Sequence, residues 1–177
     1  MEGDTTQKSG NVNKEQHKKQ ENPAVVIVPY EQQYSKAFKE LNEEWIVKHF
    51  KMEPEDFKAL NNPQEYILNG GGLILIALYN EAPVGVCALI KMLDPDYDVE
   101  LAKMAVSPTM QGKNIGWLLG QAIVKRAQEM GSKNIYLESN TKLIPAINLY
   151  RKLGFKEVAG RNSPYSRANI QMVLELL

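Results

Sequence analysis

With 177 residues, 21 basic and 21 acidic side chains and 44% hydrophobic residues, the chain has the make-up of one soluble globular domain with a substantial core. A formal net charge of zero argues against nucleic acid as a partner, and no apolar run approaches the roughly 20 residues that span a bilayer. The polar start lacks the apolar centre of a secretory signal, so no membrane partner and a cytoplasmic location are expected, and the single cysteine, Cys87, excludes an internal disulfide.

Residues 1–22 carry Lys, Glu, Gln, Asn and Ser with almost no apolar side chains, too little buried surface to offset the entropy of ordering. They are expected to form a flexible N-terminal arm, its basic cluster from Lys14 to Lys19 a solvated tail, ahead of a single domain over residues 23–177. Residues 24–28 read as a β-branched strand, followed by Pro29 and a helix from residue 31 to about 50. Along that helix Phe38, Leu41, Trp45 and His49 recur three or four apart, the spacing of a core stripe. Pro54, with Glu55 and Asp56 in the first turn, opens a short helix. Pro63 opens another that stops at Asn69-Gly70-Gly71-Gly72, glycines that precede a strand and so read as a turn and not as a phosphate loop.

The apolar runs 73–79 and 83–92, separated by Asn80-Glu81-Ala82, predict an antiparallel hairpin. Cys87 lies within the second and reads as a small core residue, not a nucleophile. Asp94, Asp96 and Asp98 lack the glycine and distal Glu of a calcium loop, leaving a solvated turn able to attract a cationic substrate. A strand over 99–106 stops at Ser107-Pro108. Then come a helix from about 116 to 130 ended by Gly131, a strand over 134–139, a helix over 144–153, and strands over 155–158 and 170–176. This order argues an α/β (α+β) fold, a mixed sheet with helices on both faces. His17 and His49 have no neighbours at ligand spacing, so no metal site is expected.

Between the strand ending at Val106 and the following helix stands Gln111-Gly112-Lys113-Asn114-Ile115-Gly116. A helix start offers free backbone N–H groups and the positive end of its dipole, a site for an anion such as a pyrophosphate. Gly112 and Gly116 let the backbone approach closely, and Lys113 can add a point charge.

Three blocks together carry a resemblance: this turn, the strand Glu100-Leu101-Ala102-Lys103-Met104-Ala105-Val106, and the distal Ala146-Ile147-Asn148-Leu149-Tyr150-Arg151-Lys152-Leu153-Gly154-Phe155. Over residues 24–177 the chain resembles the GNAT superfamily of N-acetyltransferases, whose fold has a mostly antiparallel central sheet. The family signature runs Gln or Arg, two residues, Gly, one residue, Gly or Ala. Gln111 and Gly116 match its ends, and Asn114 replaces its middle glycine, a position where Asn tolerates a left-handed backbone.

The resemblance implies acetyl-CoA as acyl donor, with no metal. By position it would be held by the backbone of Met104, Ala105 and Val106, by Gln111, Gly112, Lys113, Asn114, Ile115 and Gly116, and by Asn140, with Asn148 an alternative. Tyr150 matches the family's acid for the leaving thiolate. Glu100 aligns with a catalytic glutamate of some members, and acting as base or anchoring the amine are both open to it. Strict strand alternation would put Glu100 on one face with Ala102, Met104 and Val106, and Lys103 on the other. The partner implied is an amine of a small molecule or peptide, attacking directly in a ternary complex, in a pocket lined by Trp45, Tyr66 and Tyr165. The family also allows a homodimer. A non-catalytic acyl-CoA-binding or regulatory module on the same fold is the alternative, and a nucleotide-binding protein is disfavoured because no Gly-Lys-Ser/Thr follows the turn.

Overall fold

The computed structural model describes residues 24–176; the expected arm over 1–22 and its Lys14 to Lys19 cluster lie outside the described residues. Strand β1, Val25–Pro29, leads through a tight 3-10 turn, Gln32–Tyr34, into α1, Ser35–His49. The helix starts later than the sequence predicts because that turn takes the first residues. Phe38, Asn42 and Ile46 form its buried stripe, and the Asn42 side chain satisfies itself locally by donating to the Phe38 carbonyl at 2.9 Å. Helix α2, Pro54–Asn61, begins with Pro at its first turn and a reciprocal capping box between Glu53 and Asp56. A π-helical turn, Gln64–Leu68, follows. It ends where Gly71 takes a left-handed backbone, φ 87°, and the next position must also be glycine because a Cβ on Gly72 would stand 2.3 Å from the Leu89 carbonyl oxygen.

Strands β2, Leu73–Tyr79, and β3, Ala82–Lys91, form the expected hairpin. Its turn residues Asn80 and Glu81 both have left-handed backbones, φ 49° and 65°, matching the twist of the flanking strands. Then come β4, Val99–Val106, α3, Ile115–Glu129, β5, Asn134–Ser139, and α4, Ile144–Leu153, closed by Gly154 at φ 103°. A two-residue β6, Lys156–Glu157, and β7, Ile170–Glu175, complete the chain. The sequence predicts a longer β6, but the chain leaves the ladder after Glu157.

The sheet has seven strands in the order β1-β2-β3-β4-β5-β7-β6. Every neighbouring pair is antiparallel except β4 and β5. On one face Leu75, Leu89, Leu101 and Ile135 pack under Ile115, Leu119 and Ile123 of α3 and Ile147 of α4. On the other Ile74, Ile76, Val86 and Ala105 meet Phe38 and Ile46 of α1 and Leu60 of α2. A Cβ on Gly85 would come within 3.0 Å of both Ile115 and Leu119, so the missing side chain in β3 lets α3 settle onto the sheet.

One irregularity in β4 corrects the simple alternation. Val86 pairs with Ala105 but Ala88 with Ala102, so Lys103 and Met104 together stand opposite Cys87 in a bulge, with Lys103 at φ 52°. The extra residue switches faces. Leu101, Met104 and Val106 belong to the α3 side, while Ala105 belongs to the α1 side. Glu100, opposite Ile90, faces α1 and does not share a face with Met104 and Val106. The Lys103 side chain reaches the α2 side, bonding Asp56, and so lies with Glu100 and not opposite it.

Candidate active site

The parallel pair β4–β5 is joined at only two positions, Val99 with Ile135 and Glu100 with Tyr136. Beyond Glu100 the strands part, and the β4 edge from Leu101 onward has no ladder partner on the β5 side. Backbone groups stripped of a strand partner are available to a ligand.

A cleft of about 640 Å³ lies next to this opening and touches β4 only at its last residue, Val106. Val106, Gln111, Gly112, Asn114, Ile115 and Gly116 wall one side, and Leu143, Pro145, Ala146, Leu149 and Lys152 the other, with Trp45, Lys48 and His49 of α1. The turn has the conformation an anion cradle requires. Gly112 has φ +80°, and a Cβ there would meet nothing within 4 Å. Asn114 adopts φ 66°, ψ 12° as the N-cap of α3 and makes no side-chain cap bond, so its amide does not claim the helix's first N–H groups. Asn is among the few residues that adopt this left-handed backbone readily, which is how the turn survives without a middle glycine. A Cβ on Gly116 would make only ordinary contact, 3.4 Å from a Leu149 methyl, so this glycine lines the cleft without being demanded by packing. Lys113 is turned to Tyr79, its Nζ 5.5 Å from the ring centroid, and does not line the cleft.

A smaller cavity of about 100 Å³ shares Trp45 and Leu143 with the cleft. It brings together Glu100, Met104, Asn140, Tyr150 and Tyr165 of the sequence-derived candidates. Ala105 is instead buried among the α1 contacts, and Tyr66, 51% exposed, lines neither of these two spaces. Both ends of the Asn140 amide are taken: its nitrogen donates to the Arg167 carbonyl at 2.6 Å, and its oxygen accepts from the Lys142 N–H at 2.9 Å. Asn148 lines neither space.

Burial raises the Glu100 carboxyl to about 7; the negative charge of Glu138 adds to this and Lys103 opposes it. Burial likewise pushes the Tyr150 phenol up to about 12, with a contribution from Cys87, so Tyr150 stays protonated at neutral pH. Its ring meets Phe155 edge-on at 6.0 Å. Cys87 itself is fully buried, and burial drives its thiol pKa upward, the opposite of what a nucleophile needs.

Three side chains that the sequence does not single out as site residues, together with Lys103, complete the site. Asp56, fully buried, accepts a bidentate pair from Arg167, both bonds 2.7 Å, and a bond from Lys103 at 2.9 Å. Burial alone would raise the Asp56 carboxyl, but Arg167 and then Lys103 hold it at about 2. Lys103 also donates to the Tyr165 hydroxyl at 2.9 Å. The fourth, Glu138, accepts from the Tyr136 hydroxyl at 2.8 Å and the Ser163 hydroxyl at 2.5 Å. Asp56 is visible in the sequence only as a first-turn acid, Arg167 falls between two predicted strands, and Glu138 falls within the predicted strand over 134–139 with nothing local to mark it.

The Asp94 loop is also corrected. Arg161 donates to Asp94 at 2.5 Å and to Asp96 at 2.9 Å and stacks 4.6 Å from the Tyr97 ring centroid, so these acids already hold a cation of the chain. Among the described residues no group of three or more His, Cys, Asp or Glu is arranged to hold a metal, and no helix is long and apolar enough to cross a membrane.

Comparison with known proteins agrees with this architecture. The chain is 35% identical over 81 residues to an uncharacterized N-acetyltransferase, YjgM, of Escherichia coli, covering 45% of this chain and 48% of that protein. It is 42% identical over 59 residues to an N-alpha-acetyltransferase of Sulfurisphaera tokodaii, covering 33% of this chain and 35% of that one. The chain thus matches about half or less of the length of these two relatives. Among solved structures, an acetyltransferase of the GNAT family from Staphylococcus aureus superposes with a TM-score of 0.77 at 26% identity, covering 87% of this chain and all of that one. The fold is shared too by yncA of Salmonella typhimurium, solved with acetyl-CoA, at TM-score 0.69 and 21% identity, covering 86% of this chain and 94% of that one. The pattern of the acetyltransferase (GNAT) family matches residues 34–155, from the start of α1 through the bulged strand, the glycine turn and α4, and the chain belongs to that family.

Proposed function

We propose that this chain transfers an acetyl group from acetyl-CoA to an amine of a small molecule or peptide by direct attack in a ternary complex, acting in the cytoplasm. The observation that carries the reading is the adjacency of two spaces. A cleft at the α3 N-terminus shares Trp45 and Leu143 with a cavity containing Glu100 and Tyr150. The cleft suits the phosphate end of a coenzyme, at the open turn of Gly112 and the uncapped α3 N-terminus, and the unpaired β4 edge leading from it into the smaller cavity offers hydrogen bonds to an amide-rich arm.

An alkylammonium ion has a pKa near 10 and must lose a proton before it can attack. Glu100, at about 7, is ionised at mildly alkaline pH and basic enough to take that proton, directly or through one water. The neutral nitrogen then adds to the thioester carbonyl, and N–H groups of β4 stabilise the oxyanion. When the C–S bond breaks, Tyr150 gives its proton to the thiolate. Addition leaves the nitrogen cationic, and its second proton passes through solvent to the Tyr150 phenolate; of the two protons the nitrogen loses, one thus ends on the CoA thiol and the other leaves Glu100 for solvent. Holding both reactants together supplies the remainder as proximity.

Calorimetry with acetyl-CoA tests the donor, and its expected result is saturable heat. No heat would remove acetyl-CoA from the reading. An acceptor screen over amino acids, polyamines, aminoglycosides and peptide N-termini, read by free thiol release, tests transfer. Coenzyme binding with no transfer to any amine would instead favour the non-catalytic module.

A further inference from the structure

The smaller cavity is electrostatically unbalanced, and the imbalance bears on which amine it accepts. Its two cations are Lys103 and Arg167, and both are committed. Arg167 spends its guanidinium on Asp56 and, at 3.1 Å, on Glu53. Lys103, only 5% exposed, is paired with fully buried Asp56. Both positive charges are thus already matched by carboxylates of the chain. The two remaining charged groups on the wall are Glu100 and Glu138. Glu138 is held by neutral donors, the hydroxyls of Tyr136 and Ser163 and, at 3.4 Å, the amide of Gln171. Among the described residues, neither Glu100 nor Glu138 pairs with a cation. Trp45, Phe50 and Tyr165 supply apolar wall.

We infer that the acceptor is a primary amine that enters as its ammonium ion and carries no carboxylate beside the reacting nitrogen, with Glu138 as the specificity-determining anchor. A free α-amino acid would place its carboxylate against two carboxyl groups in a site with no free cation among the described residues, at a cost set by low dielectric and desolvation. Decarboxylated amines, lysine-like side chains and peptide N-termini, whose neighbouring carbonyl is neutral, avoid it. The inference rests on the acceptor site of the proposed function.

Matched pairs differing only in the α-carboxylate test it by binding, independently of turnover. Calorimetry in the presence of CoA would compare n-butylamine with norvaline, and alaninamide with alanine. Each amine is expected to bind at least about tenfold more tightly than its carboxylated partner, which corresponds to about 1.4 kcal/mol. This comparison needs no variant. Glu138→Gln is expected to weaken butylamine binding at least about fivefold while acetyl-CoA affinity stays unchanged. Equal or tighter binding of norvaline and alanine would overturn the inference, as would unchanged butylamine affinity in a Glu138→Gln protein that still binds acetyl-CoA. Discrimination without thiol release would leave the inference standing and remove acetyl transfer; equal transfer to amino acids would do the reverse.

Discussion

Glu100 is costly to the fold in its charged form. Its carboxyl lies at about 7 in the folded chain, against an ordinary 4.5, because burial and Glu138 disfavour the anion. A raised acid pKa means destabilisation that grows as pH rises from 4.5 to about 7 and is complete above it. Glu100→Gln is therefore expected to stabilise the protein at pH 8, by up to about 3 kcal/mol, and to have no such effect near pH 4.5; urea denaturation at both pH values measures this. For catalysis the sign reverses. Activity of the parent protein should fall as pH drops through about 7 and Glu100 is protonated, with Lys103, Glu138, Tyr136 and Tyr165 the neighbouring groups that tune it. Glu100→Gln should lose about tenfold or more and with it that acidic limb. A loss independent of pH would assign Glu100 to anchoring the amine. Tyr150→Phe should lower kcat about tenfold or more with acetyl-CoA affinity nearly intact, and an unchanged rate would remove its role as acid.

Between elements, Asp56 is the tie that shapes the acceptor cavity. It joins the start of α2 to the β4 bulge through Lys103 and to the loop before β7 through Arg167, and Glu53 adds the Ser166 N–H at 3.0 Å. Removing the charge strands two partly buried cations, so Asp56→Asn should cost about 3–5 kcal/mol. Since the Asp56 carboxyl is lowered to about 2 from 3.8, its stabilisation is whole above pH 3.8 and drains away toward pH 2. The variant should lack that acid transition when its stability is followed through this window. The α3–α4 contact is the second sensitive joint. A Cβ at Gly120 would stand 2.6 Å from a Leu153 methyl, so Gly120→Val should cost about 1–3 kcal/mol by overpacking, read as a lower denaturation midpoint. At this scale the sequence was legible where signals are local. The hairpin around Asn80 and Glu81, α3, and α4 with its Gly154 stop all follow from period, cap and turn residues. The start of α1 and the extent of β6 were not, because a tight turn and the loss of ladder pairing set them.

For the whole molecule, the coenzyme reading makes a thermodynamic prediction. A ligand that binds only the folded state stabilises by RT ln(1 + [L]/Kd), about 2.7 kcal/mol at a hundred times Kd. For a domain of this size that should raise the Tm by about 5–10 °C. Scanning calorimetry with and without acetyl-CoA measures it, and no shift at saturating concentration would contradict a site in the β4–β5 opening. The sequence by itself determined the element order, the strand-to-helix turn at Gln111 to Gly116 and the family-like blocks around it, because periodicity, glycine freedom and capping act over a few residues. Only the tertiary structure decided which face Glu100 shares, since one bulged residue at Lys103 reverses a strand's alternation. It alone joined Asp56 to Arg167, 111 positions apart, and left Glu138 without a cation among the described residues, because burial and charge pairing are properties of distance in space and not of separation along the chain.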